Sequence, residues 1–186
     1  VVINVGFASQ SFYGDGSDIA IARGKGDWLN GDAGDDILYG DAKGQDNALN
    51  GGKGNDTLYL GGDANQFSGG EGADTFVIRD AIKNVRTTDL SSDDRIVVKG
   101  VDMDELWFSN DGGDLLVEID RWDRSLTTEK PDHVVGEARF KNWFSGSQSN
   151  LYFDLNERAG TSKELSNVKL NGLVQAMAGF TRADAS

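Results

Sequence analysis

From Tyr13 onward the sequence repeats every nine residues, and a period of that length permits very few folds. Tyr13–Ile21, Ala22–Asn30 and Gly31–Tyr39 are successive units. Gly40–Asn50 is a fourth unit, two residues too long, and Gly51–Tyr59, Leu60–Ser68 and Gly69–Val77 complete seven. The fifth and seventh units match G-G-x-G-x-D-x-U-x in full, where U is a large apolar residue. Glycine supports the pattern: 25 of 186 residues, about twice the usual ~7%, beside a single proline. Much glycine with little proline points to many tight turns that need positive φ, not to a stiff linker.

Each unit divides in two. Six Gly-rich residues form a turn, and three more form a short strand whose middle side chain points inward and whose neighbours point outward. The inward set is then Ala20, Leu29, Leu38, Leu49, Leu58, Phe67 and Phe76. The sixth position of the turn holds Asp18, Asp27, Asp36, Asp46, Asp56, Asn65 and Asp74. Carboxylates among backbone carbonyls make a hard-oxygen environment, which suits calcium with its six to eight oxygen ligands. The chain has no Cys and His133 is its only His, so metals that prefer sulfur or imidazole lack their ligands.

These residues resemble the repeat-in-toxin (RTX) family, whose calcium repeat is this nonapeptide. The resemblance implies an all-β fold, a parallel β-roll in which successive short strands alternate between two sheets. It also implies Ca2+ held between turns two repeats apart. The carboxylates would be those of Asp18, Asp27, Asp36, Asp46, Asp56 and Asp74. The turn residues contributing to the sites would be Gly14, Gly16, Gly31, Ala33, Gly34, Gly51, Lys53, Gly54, Gly69 and Glu71.

The odd and even units differ. Odd units keep Gly at the second or fourth position and Asp at the sixth, which gives three good sites: Asp18 with Asp36, Asp36 with Asp56, and Asp56 with Asp74. Even units carry Arg23 and Lys25, an insertion with Lys43, and Asn65 in place of Asp, so two weaker sites or none are expected there. Outward residues split the same way, with Ile19, Ile21, Ile37, Tyr39 and Tyr59 on the odd face and mostly Asn, Gln and Ser on the even face. An apolar patch of that kind calls for a cover, from this chain or from a partner.

Four regions follow: a capping strand over 1–12, the β-roll over 13–77, a β cap over 78–160, and a helix with a secretion-related tail over 161–186. Strands are expected at Asp94–Lys99, Glu105–Ser109, Asp114–Ile119, Ala138–Phe144 and Leu151–Leu155, with Asn110–Gly113 as a hairpin turn. The segments 104–109, 113–119 and 140–144 resemble the flank that follows the repeats in RTX haemolysins and adenylate cyclase toxins. Val168–Ala178 reads as a helix capped by Ser166 or Asn167, and 173–180 is similar to the short helix near the end of type I secreted RTX proteins.

A net charge of −13 disfavours nucleic acid and anionic membrane as partners and favours cations. The first residues do not form a secretory signal, and no apolar run is long enough to span a bilayer. The sequence holds no nucleophile elbow, H-E-x-x-H, P-loop or dinucleotide fingerprint, so no enzyme is expected in this segment. His133 reads as a loop residue. The resemblance implies a bacterial, extracellular module, part of a larger toxin or adhesin, that passes transiently through type I secretion machinery and folds on calcium. A binding module for a carbohydrate or a cell-surface partner is the alternative.

Overall fold

The computed structural model describes residues 2–5, 10–101, 105–120, 134–144, 152–156 and 162–177. Among these residues, sixteen strands and one helix run in chain order. β1 (Val2–Val5) precedes the repeats, and β9 (Thr75–Lys83) begins in the last of them. Between them lie β2 (Gln10–Phe12), β3 (Ile19–Ala22), β4 (Trp28–Asn30), β5 (Ile37–Gly40), β6 (Ala48–Lys53), β7 (Thr57–Asp63) and β8 (Gln66–Glu71). Then come β10 (Val85–Thr87), β11 (Arg95–Lys99), β12 (Leu106–Asp111), β13 (Asp114–Asp120), β14 (Val134–Phe140), β15 (Tyr152–Asn156), β16 (Ser162–Ser166) and the helix α1 (Asn167–Met177).

Successive repeat strands alternate between two sheets, as a β-roll requires. One sheet runs β1-β3-β5-β7-β9-β11-β15-β16, and the other runs β12-β13-β14-β10-β8-β6-β4-β2. Pairing within the roll is parallel and in register: Ala20 faces Leu38, Leu38 faces Leu58, and Leu58 faces Phe76. Leu29, Leu49 and Phe67 stack the same way opposite. All seven inward residues are buried, so the two stacks form one continuous core between the sheets. Fixed register follows from the period, because a one-residue slip would turn every apolar side chain outward.

The parallel ladders do not stop at Val77, which lies inside β9. β9 pairs onward with β11, and β11 with β15. The other sheet continues from β8 to β10 to β14, where antiparallel β13 and β12 finish it. The hairpin turn at Gly112 and Gly113 has positive φ at both residues, the requirement of a tight two-residue hairpin. The strand expected at 138–144 lies earlier, at Val134–Phe140, and 141–144 is a turn. Asn142 has φ of 58° there, which folds Trp143 back into the core. Trp143 Nε1 donates to Asn171 Oδ1 on α1 at 3.0 Å, and Leu170 and Val174 of that helix are buried one turn apart. His133, most of the charged stretch 121–137 and the tail 178–186 lie outside the described residues. Among the described residues no helix is long and apolar enough to cross a membrane.

On the outer face of the odd sheet, Tyr39 and Tyr59 stack with centroids 4.4 Å apart, and the Arg79 guanidinium lies over Tyr59 at 4.6 Å. These tyrosines are half-buried, shielded in part by each other and by Arg79.

Candidate metal centre

The turns between strands form two edges of the roll, and their sixth-position side chains form a ladder along each. On the odd edge, Asp18, Asp36, Asp56 and Asp74 are buried. Each backbone N–H in the ladder donates to the carboxylate one coil further on: Asp18 to Asp36 Oδ1 at 2.7 Å, Asp36 to Asp56 at 2.8 Å, and Asp56 to Asp74 at 2.8 Å. Asp74 donates in turn to Asp94 Oδ1 at 2.9 Å, so the ladder gains a fifth member. The repeat pattern does not mark Asp94, because its unit has lost every glycine. The surviving signal is the spacing: Asp94 precedes the buried Ile96 by two residues, as Asp74 precedes Phe76.

One oxygen of each inner carboxylate is thereby used. The other, Oδ2 of Asp36, Asp56 and Asp74, is buried and has no hydrogen-bond partner. Three unpartnered anionic oxygens in one row would be strongly destabilising without a cation. Gly31, Gly51 and Gly69 stand directly against them. A Cβ on Gly31 would collide with Asp36 Oδ2 and the Gly51 carbonyl oxygen, and one on Gly51 would collide with Asp56 Oδ2 and the Gly69 carbonyl oxygen. Carboxylate and carbonyl oxygens thus converge where glycine leaves room. At Gly69 the Asp74 carboxylate is again closest. This donor set is all oxygen and anionic, and it fits calcium. Among the described residues, no three acidic or imidazole side chains gather around one point, so backbone carbonyls must complete each shell.

Burial raises the proton affinity of these acids. Loss of hydration pushes Asp56 up to about 7 and Asp74 to about 6, with neighbouring carboxylates adding to the effect. Asp36 and Asp94 are raised for the same leading reason.

The remaining expected site residues fall into place around this row. Ala33, Lys53 and Glu71 offer their carbonyls to the N–H groups of Gly16, Gly34 and Gly54 at 2.7–2.8 Å, linking odd turns one coil apart. Gly14 N–H donates to Asp32 Oδ2 at 3.1 Å. Tyr13 replaces the first glycine of its unit, so the Asp18 turn has no cradle of the Gly31 kind.

The even edge differs from expectation in register. Its buried ladder is Asp27, Asn47 and Asn65; Asp46 is not a member. The two-residue insertion shifts the fourth unit so that Asn47 precedes Leu49 by two, and Asp46 turns outward to pair with Lys25 at 3.2 Å.

Comparisons with known proteins agree with the turn chemistry. The family described as RTX calcium-binding nonapeptide repeat (4 copies) matches residues 12–42 and 43–76. A multifunctional-autoprocessing repeats-in-toxin of Vibrio vulnificus is 33% identical over 120 residues, covering 62% of this chain. The protein of that name from Vibrio cholerae serotype O1 is 33% identical over 111 residues, covering 58% of it. Each match spans about 2% of the relative's length. The solution structure of the AlgE6R3 subunit of the Azotobacter vinelandii mannuronan C5-epimerase is 24% identical. That alignment covers 74% of this chain and 78% of the other, at a TM-score of 0.28, too low to bear on the fold. The carboxylate ladder and the family match together identify residues 12–76 as a block of RTX calcium-binding nonapeptide repeats, similar to those of repeats-in-toxin proteins.

Proposed function

We propose that this chain is a calcium-triggered folding module within a larger secreted bacterial protein, exported by a type I system before it folds. The observation that carries the reading is the row of buried, unpartnered Oδ2 atoms on Asp36, Asp56 and Asp74. Without a cation these carboxylates repel one another, and the Gly-rich turns favour the unfolded chain through entropy. In a calcium-poor cytosol the chain stays extended and transportable. When bound, calcium supplies the positive charge and the demand for oxygen ligands that the row leaves unmet. Asp36, Asp56 and Asp74 would hold it, with the carbonyls of Gly51 and Gly69. Ala33, Lys53 and Glu71 would keep adjoining turns at the right spacing through their bonds to Gly16, Gly34 and Gly54.

The magnitudes suffice. A site with Kd of about 100 μM in about 2 mM calcium contributes roughly 1.8 kcal/mol by mass action. Three such sites give about 5 kcal/mol, the whole stability of many small domains. Circular dichroism tests this directly. The chain in chelator is expected to be mostly coil and to gain β signal cooperatively as calcium is added; a fully folded chain in chelator would sink the reading.

One observation favours a second reading, an adhesin-type surface for a carbohydrate or cell-surface partner. Ile21, Arg23, Tyr39, Asp41, Tyr59 and Arg79 line a groove of about 390 Å³ on the outer odd face. Aromatic edges beside paired charges suit a polar ligand. Saturable, calcium-dependent glycan binding that is lost in Tyr59→Ala would support it, and failure to bind across a broad glycan panel would remove it.

A further inference from the structure

The two edges of this roll are built from different turns. On the odd edge, left-handed residues occupy the second and fourth positions of every repeat: Gly14 and Gly16, Asp32 and Gly34, Gly52 and Gly54, Gly70 and Gly72. On the even edge a left-handed residue directly precedes each ladder residue: Gly26 before Asp27, Asp46 before Asn47, and Ala64 before Asn65, with Gly62 also left-handed in the sixth unit. Left-handed residues decide which way successive carbonyls face, so the even turns do not present the oxygen arrangement of the odd ones.

Even-edge carbonyls also have donors already. Asn47 Nδ2 donates to the Gly24 carbonyl at 3.1 Å, and Asn65 Nδ2 donates to the Gly61 carbonyl at 2.6 Å. The other end of each amide accepts a ladder N–H, from Asp27 at 2.7 Å and from Asn47 at 2.8 Å. Both amides are buried; their two accepted ladder bonds match those of the odd edge, and their two Nδ2 bonds are made where the odd edge leaves an anionic oxygen bare. An NH2 group therefore stands where the odd edge offers Oδ2. Farther out, three cations bridge turns one coil apart: Arg23 to Asp41 at 3.7 Å, Lys25 to Asp46 at 3.2 Å, and Lys83 to Asp63 at 3.4 Å. Exposed pairs of this kind contribute little individually. Their effect is to put a fixed positive charge beside acids that would otherwise attract a metal or repel one another.

We propose that this roll takes calcium along one edge only, and that the carboxamides of Asn47 and Asn65 close the opposite edge as built-in substitutes for the ion, with Arg23, Lys25 and Lys83 supplying its charge. The proposal rests on the calcium-binding reading of the odd edge, and it limits that reading to the row at Asp36, Asp56 and Asp74. A chain with one metal edge and one covalently supplied edge needs fewer calcium ions than a roll with metal on both edges to close.

The test counts calcium ions on the full chain by native mass spectrometry and calorimetry, with calcium chloride as the probe. Wild type is expected to bind three. Asp56→Asn lowers the count, whereas Asp27→Asn leaves it unchanged. Asn65→Ala, measured in saturating calcium, leaves the count unchanged but lowers the melting midpoint by roughly 5 °C, because a buried N–H and a buried carbonyl lose their partner. A lower count in Asp27→Asn or Asn65→Ala overturns the one-edge proposal while leaving calcium-driven folding intact. An unchanged midpoint in Asn65→Ala overturns the stand-in role of the amide. Wild type that binds no calcium overturns both this proposal and the reading beneath it.

Discussion

At the scale of single residues, small differences in side chain decide what a turn can do. Asp and Asn at the ladder position are nearly isosteric, yet one leaves an anionic oxygen unpartnered and the other satisfies a carbonyl through its NH2. That distinction was legible in the sequence at Asn65. In the fourth unit two inserted residues hide that Asn47, not Asp46, stands two before Leu49. Ala64 carries a second residue-scale signature. Its φ of 57° puts a Cβ in the left-handed region, where L-residues are disfavoured by about 1–2 kcal/mol. Gly26 fills the equivalent place in the second unit with no such strain. Ala64→Gly is therefore expected to stabilise the calcium-loaded chain by about 1 kcal/mol, less what the freer unfolded chain takes back. Thermal or denaturant melts in saturating calcium would show it; a destabilised variant would mean that the Ala64 methyl packs usefully in the turn.

At the scale of elements, the odd edge is one connected ladder, since each carboxylate binds the backbone of its neighbour one coil away. Its pH dependence follows from the raised acids. Asp56 and Asp74, pushed up to about 7 and about 6 by burial, keep their protons in the metal-free fold over a range where the unfolded chain has already lost them. The folded state then binds more protons, so its stability falls as pH rises from about 4 to about 7 and is fully restored below that window. This is the reverse of the usual salt-bridged acid. In chelator, lowering the pH from 7.5 to 5 is expected to increase β signal in circular dichroism, while apparent calcium affinity weakens over the same range. A loss of β structure on that acidification would contradict the burial of the ladder. The hairpin of β12 and β13 was equally plain in the sequence, because Asn110–Gly113 supplies the needed turn residues and Gly113 N–H bonds Asn110 Oδ1 at 2.9 Å. The bounds of β14 were not, since only the packing of Trp143 against Phe140 and Asn171 decides where that strand ends.

At the scale of the whole described molecule, the roll and its flank share one core. Leu58, Phe76, Ile96, Phe108, Phe140 and Trp143 belong to a single buried cluster. Repeat stacks cannot bury their terminal faces alone, and here β11, β14 and β15 extend both sheets over the last coil. A chain cut after Val77 would expose Phe67 and Phe76 and lose the second half of β9. It is expected to show no cooperative β transition at calcium concentrations that fold the full chain. If the cut chain folds normally, the flank is an ornament to the roll, not its cap.

The sequence by itself determined the repeat strands, their inward residues and the odd-edge carboxylates, because each is set by local chemistry recurring at a fixed period. A nine-residue period with Asp two before an apolar residue can be read without knowing what lies opposite. Tertiary structure alone decided the rest: that Asp94 joins the ladder, that Asn47 replaces Asp46 within it, that the Asn47 amide reaches a carbonyl of the neighbouring coil, and that the sheets run on past the repeats. Each of these depends on a partner one coil or more away, 18 to 23 residues along the chain for the side-chain bonds, and a local pattern carries no record of such partners.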